Sequence, residues 1–213
     1  MNGGGLEKDL QSDTNGNFSF SEAPGKILVI DVYKDGYYNS RSNRMVFDYT
    51  TYQPNLLRPE VFHLRKKGVG AGLISSTLDV KFARDGTPMN VDFINQNFGT
   101  TGQLKMVQIK PPYESWKQAT AWSFKMEIPD GGFVEENDEF PFEAPESGYQ
   151  TTIEFIFKAG QPDWQTDLKK SYYIVFGNPP RHGRLDVEND IMWGGARIKY
   201  AINPDGSRNL ESK

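Results

Sequence analysis

The side chains able to carry chemistry are few, and their spacing narrows what that chemistry is. Glu135, Glu136, Asp138 and Glu139 form the densest acidic cluster, inside the run GGFVEENDEFPFEAPE. Two carboxylates facing each other about 5 to 10 Å apart can hydrolyse a glycosidic bond, one as an acid of raised pKa and the other ionised. That mechanism wants a cleft among aromatic rings. This run is bare and bounded by prolines, which favours a solvated loop. A calcium ion bridging several of the four carboxylates is the intermediate expectation, and calcium is the only cofactor the chain suggests.

Imidazole is supplied by His63 and His182 alone. His63 falls on a short strand, on the face shared with Val61 and Arg65. His182 lies in Pro179-Pro180-Arg181-His182-Gly183, which reads as a turn-like loop. A two-histidine metal site needs both segments to meet beside a carboxylate, and the spacing gives no sign of that. Cysteine is absent, which removes thiolate ligands, thiol nucleophiles and disulfides together. No G-x-S-x-G, H-E-x-x-H or P-loop string occurs. No helical pattern follows Gly131-Gly132 or Gly194-Gly195 to present a phosphate site. The chain therefore reads as non-catalytic.

Aromatic side chains are the better handle. Trp116, with Tyr113, sits in the proline-marked segment Pro111-Pro112-Tyr113-Glu114-Ser115-Trp116, and Trp164 in Gln161-Pro162-Asp163-Trp164-Gln165. A tryptophan left exposed on a loop can stack on a sugar ring or anchor a protein partner. Trp116, Trp164 and Tyr113 are thus the candidate ligand-binding residues. Tyr37, Tyr38, Tyr49 and Tyr52 form a second loop-rich aromatic group. Trp122 belongs to a core stripe, and Trp193, before Gly194-Gly195 and a strand, reads as packed.

The elements that must position these groups are strands. Glycine and proline together make up 21 and 13 of the 213 residues, a proportion that fits many short strands joined by tight turns. In Thr120 to Ile128, Trp122, Phe124, Met126 and Ile128 point one way and Ser123, Lys125 and Glu127 the other. Leu78, Val80 and Phe82 alternate with Asp79 and Lys81, Val91 and Phe93 follow, and Ile153, Phe155 and Phe157 alternate with Glu154. Tyr172 to Phe176 and Arg197 to Ile202 add two strands, whereas Gln118-Ala119 and Thr166 to Lys170 each read as a single helical turn. Ile27 to Val32, apolar on both faces apart from Asp31, fits a central strand. The fold class is all-β, with a two-sheet antiparallel sandwich as the main body.

At the front, Asp13, Asn15 and Asn17 have the spacing that opens an EF-hand, but position 25 is glycine where the bidentate glutamate belongs, so the segment reads as an Asn15-Gly16 turn. The string DTNGNFSF, then a run ending in KDGYYNSR and later VFHLRKKG, resembles the latter part of a carboxypeptidase regulatory-like domain. Asp13, Asn15, Gly16, Phe18, Lys34, Gly36 and Tyr37 carry the resemblance. It implies a partial transthyretin-like β-sandwich, non-catalytic, of the kind found in secreted or surface proteins, with its opening strands missing. The expected organisation is a loose N-terminus (1–11), the partial sandwich (12–66), a glycine-rich linker (67–72) and a larger sandwich (73–211). The tail SRNLESK reads as a frayed end.

The formal net charge of −4, with no basic block beyond Arg65-Lys66-Lys67, lacks the phosphate-neutralising surface that nucleic-acid binding needs. The longest wholly aliphatic run, Ile27 to Ile30, is far too short for a membrane span. The first residues show no basic stretch followed by an apolar one, so no signal peptide is visible. Together these features predict a non-catalytic structural or binding module of a secreted or surface protein, one that pairs with further copies through unpaired sheet edges as a homo-oligomer or filament. Two alternatives stand beside it. One is a carbohydrate-binding module taking a polysaccharide on its loop aromatics; the other is a glycosidase-like hydrolase using the acidic loop.

Overall fold

Successive side chains of a strand point to opposite faces, so alternation of apolar and polar residues demands a half-buried sheet. The computed structural model describes residues 8–19, 27–39, 44–48, 59–83, 85–111 and 119–213. These residues form strands, turns and irregular segments and contain no helix, so the protein is all-β. The chain divides into two compact units, Met1–Lys67 and Gly68–Lys213.

The first unit holds two antiparallel ribbons. Strand β1 (Ile27–Asp31) pairs with β3 (Arg44–Asp48), and β2 (Tyr37–Asn39) pairs with β4 (Leu64–Lys66). The expectation of a central strand at Ile27 to Val32 needs correction. Among the described residues β1 has one partner, and Ile27 and Val29 are 61% and 43% exposed. The turn at Asn15-Gly16 forms as read: the Asp13 carboxylate accepts the N–H of Asn15 at 2.8 Å and of Asn17 at 2.9 Å. These bonds, that from Asn17 foremost, hold the Asp13 carboxyl below its ordinary value. Its oxygens thus serve the turn. Phe20, Tyr49 and Tyr52 lie outside the described residues.

The second unit is the larger sandwich. Its strands are β5 (Ile74–Lys81), β6 (Met89–Asp92), β7 (Asn97–Gly99), β8 (Leu104–Ile109) and β9 (Trp122–Glu127), then β10 (Gly131–Glu135), β11 (Thr152–Phe157), β12 (Asp167–Phe176), β13 (Arg181–Asp190) and β14 (Gly195–Asn203). Sheet I runs β10-β12-β13-β14-β5 and sheet II runs β11-β9-β8-β6-β7, with antiparallel pairing throughout. The clearest sequence pattern lands in sheet II. Trp122, Phe124, Met126 and Ile128 are buried and their alternates are not, and β9 pairs with β11 so that Phe124 faces Phe155 and Trp122 faces Phe157. The Trp122 and Phe157 rings stack at 4.4 Å. From sheet I, Ile198, Tyr200 and Ile202 face inward, and Phe93 meets Tyr200 edge-on at 5.0 Å. Each such fully buried side chain contributes about 1.5–3 kcal/mol relative to exposure.

Three segments differ from the sequence expectation. Thr166 to Lys170 forms no helical turn, because from Asp167 onward it opens β12 and pairs with β13. The turn after β12 closes at Gly177–Pro180, so His182 stands inside β13. The tail is held, with Leu210 and Glu211 both buried. Ala71 and Ser212 form a parallel bridge, and the Gly68 N–H donates to the Glu211 carboxylate. Residues 68–71 therefore pair with 209–213, and the glycines of this segment allow backbone to lie on backbone. A Cβ at Gly70 would stand 2.5 Å from the Ser212 carbonyl carbon.

Candidate functional site

The four acidic residues sit where β10 runs into its following loop, and strand β12 takes up two of them. Glu135 pairs with Lys170. Asp138 accepts the Tyr173 hydroxyl proton at 2.6 Å. Burial, and then this hydrogen bond, raises the Tyr173 hydroxyl well above its ordinary value. Glu136 is buried and Glu139 half-buried. Among the described residues no set of three or more histidine, aspartate or glutamate side chains is arranged to hold a metal ion. His182 is half-buried, with Nδ1 3.1 Å from the Gly206 carbonyl.

The aromatic candidates are redistributed. Tyr113 and Trp116 lie outside the described residues. Trp164 is half-buried and packs on the core. Its indole N–H donates to the Thr120 carbonyl at 2.9 Å, while the Trp122 N–H donates to the Gln165 carbonyl at 2.9 Å. The two tryptophans thus tie the β11–β12 loop to the start of β9.

The exposed tryptophan is the one read as packed. Trp193 is 41% and Met192 39% exposed, side by side in the turn joining β13 to β14. Sequence reasoning missed Trp193 because a tryptophan before Gly-Gly and a strand looks like a core residue. The second glycine was the available signal. A side chain at Gly195 has no room: a Cβ there would stand 2.4 Å from the Val80 carbonyl oxygen and 2.6 Å from the Trp193 Cζ3.

This turn is anchored from several directions. The Asp190 carboxylate accepts the N–H of Met192 at 2.7 Å and of Trp193 at 3.2 Å. The Ile191 N–H donates to the Thr166 carbonyl at 3.0 Å, and the Gly194 N–H to the Asp190 carbonyl at 2.9 Å. From below, buried Lys110 donates from Nζ to the Ile191 carbonyl at 2.9 Å. From the side, Lys81 donates to the Trp193 carbonyl at 2.8 Å and places Nζ 3.7 Å from the ring centroid. A cation over an indole face in this geometry contributes about 0.5–1 kcal/mol at an exposed site. The result is an apolar pair of side chains on a fixed backbone.

Beside this turn lies the outer face of sheet I. Ala196, Ile198 and Tyr200 face the core, so Gly195, Arg197 and Lys199 face outward, and the Trp193 ring rests over Gly195 on that outer side. The register lines up Lys169, Glu188, Arg197 and Asp79 in one row across four strands. Signs alternate along it: Lys169 reaches Glu188 at 3.3 Å, and Arg197 reaches Asp79 at 2.9 Å. The hydrogen bond to Asp79, followed by its charge, raises the Arg197 guanidinium further. In the next row Ser171 donates to Asp186 at 2.7 Å, with Lys199 following across β14. An open trough of about 520 Å³ lies over the part of both rows carried by β12, β13 and β14, lined by Lys169, Glu188, Arg197, Ser171, Asp186 and Lys199, with Asp79 and Trp193 outside its lining.

No family model, curated protein or solved structure matches this chain.

Proposed function

We propose that the chain is a non-catalytic binding module of a secreted or surface protein, and that the Met192–Trp193 turn is its contact point. The observation that carries this reading is an exposed indole on a turn pinned by Asp190, Lys81, Thr166 and buried Lys110. Immobilised aromatic groups make favourable contacts because little side-chain freedom remains to be lost on binding. The engagement of Glu135 with Lys170 and of Asp138 with Tyr173 supports a structural role for the acidic segment over the hydrolase alternative. The test is a panel of immobilised glycans and surface proteins probed with the wild type, Trp193→Ala and Met192→Ala. Ligands retained by the wild type and lost in Trp193→Ala support the reading. Equal retention by both, or turnover of a glycan, overturns it.

A second reading is self-assembly through the first unit, as a partial regulatory-like sandwich short of strands would require. It is favoured by β1, which among the described residues has one partner strand and exposes Ile27 and Val29. Two-stranded ribbons are marginal alone, and a free apolar edge is a template for another chain. Two edge strands of the second unit carry charge, Asp79 and Lys81 on β5 and Glu154 on β11. Light scattering across a concentration series is the check, with Ile27→Lys and Val29→Lys expected to abolish association. A monomer at every concentration removes this reading.

A further inference from the structure

The geometry points to a neutral oligosaccharide as the ligand of the outer face of sheet I, with Trp193 as its stacking platform; this inference rests on the reading of the Met192–Trp193 turn as a contact point. Three features of the face define the ligand class.

The first is the platform itself. The indole lies over Gly195, on the face that carries Arg197 two residues further along β14 and Asp79 across the pair. A sugar ring presents axial C–H groups that pack on an aromatic face, with hydroxyls around its edge that need polar partners. Here the partners stand next to the platform, since two residues along a strand span about 7 Å.

The second is the charge pattern. Lys169, Glu188, Arg197 and Asp79 alternate in sign, so the row sums to zero and produces no field of one sign. A phosphate-bearing or polyanionic ligand would need a cationic surface. A neutral polyol instead needs donors and acceptors interleaved, and the row supplies them at the strand spacing of about 4.8 Å. Arg197 uses Nε and Nη2 on Asp79, while a guanidinium carries five N–H groups and a carboxylate about four acceptor positions. Hydroxyls can therefore join these pairs without breaking them. The pairs are also solvent-exposed, where each contributes only about 0–1 kcal/mol, so any rearrangement costs little.

The third is shape. The trough over β12, β13 and β14 opens to solvent, and Arg197 lines it two residues from the Gly195 on which the Trp193 ring rests. An open track fits a stretch of polymer lying across strands better than a small molecule that must be surrounded.

The experiment is titration of the full chain with hexasaccharides of glucose and of xylose, followed by amide chemical shifts. Variants are Trp193→Ala, Arg197→Ala and, on the outer face of the opposite sheet, Ile156→Ser. Binding by the wild type, shifts confined to the rows around Arg197 and Glu188, and about a tenfold loss in Trp193→Ala, with Ile156→Ser unchanged, support the assignment. A smaller but measurable loss is expected in Arg197→Ala. The inference is overturned if neither hexasaccharide binds, or if both Trp193→Ala and Arg197→Ala bind as the wild type does. Should the turn still be needed for a protein ligand from the panel while no sugar binds, the oligosaccharide falls and the contact point stands. If Trp193→Ala matches the wild type against every ligand, both fall.

Discussion

Gln108 on β8 and Asn189 on β13 join the two sheets through their side chains: the Gln108 amide donates from Nε2 to the Asn189 Oδ1 at 3.1 Å, inside a layer filled mostly by apolar groups. The bond satisfies half of each amide. Gln108 Oε1 and Asn189 Nδ2 have no hydrogen-bond partner. Removing one amide leaves the other wholly unpaired in the core, at a cost of about 1–3 kcal/mol. Removing both takes away the unsatisfied groups as well. Gln108→Leu and Asn189→Leu should each lower stability by that amount, and the double variant should recover most of the loss. Urea unfolding measures this through the midpoint at constant slope. Additive losses would show that the two amides are not coupled.

The pairing of residues 68–71 with 209–213 predicts a local effect. The Ala71 N–H donates to the Glu211 carbonyl at 2.7 Å, and the Glu211 side chain takes the Gly68 N–H. Glu211→Ala removes that acceptor from a buried position, and Gly70→Ala places a Cβ against Ser212. Both changes should speed hydrogen exchange at Ala71 and Lys213 while leaving the β9 amides unaffected, because local opening needs no disruption of the core. Glu211→Gln keeps an acceptor and should exchange close to the wild-type rate.

What could be read from the chain follows from which positions obey the period of two. In β9 every inward position is large and apolar and every outward one polar, so the strand was plain. In β8 the rule holds at Leu104 and Met106 and then inverts: Gln108 points inward, and Val107 and Ile109 point outward. That inversion hid the strand, because the inward polar group finds its partner on β13, far away in sequence. Strand β13 was hidden differently, since its inward positions include Gly183 and Asn189 beside Leu185 and Val187, and Pro179-Pro180 drew the expected loop too far. The candidate site was legible in part. Tryptophans were singled out, but local context could not reveal that Trp164 is tied to Thr120 while Trp193 is held outward by Lys81 and Asp190.

Titration limits stability at the alkaline end. Burial pushes the Tyr149 hydroxyl up to about 12 and also raises Tyr172, Tyr173 and Tyr200. These groups keep their protons in the folded state at a pH where the unfolded chain releases them. Their contribution is therefore complete below 10.0, the unperturbed value, and is lost as the pH climbs from there through the folded values. Phenolate absorbance should rise in two stages, exposed tyrosines first and the buried ones together with unfolding. A single smooth titration near the ordinary value would contradict the burial. At the acid end the sign reverses. Asp13 and Asp85, both held below 3.8 by backbone N–H groups of their own turns, keep those turns intact above 3.8 and release them as the pH falls through the lowered values.

The fixed orientation of Trp193 is open to direct test through Lys81. This side chain donates to the Trp193 carbonyl and sets its ammonium group 3.7 Å from the ring centroid, leaving the indole 41% exposed. Lys81→Met keeps the aliphatic stem and removes both polar interactions. Loss of the cation over the ring is worth about 0.5–1 kcal/mol, too little to unfold a sandwich whose core lies elsewhere. The expected result is a normal unfolding midpoint within that margin, a shifted and broadened Trp193 indole N–H resonance, and unchanged resonances for Trp122 and Trp164, whose N–H groups are bonded to Gln165 and Thr120. If the Trp193 resonance in Lys81→Met is the same as in the wild type, the turn is held by Asp190, Thr166 and Lys110, and Lys81 has no part in presenting the indole.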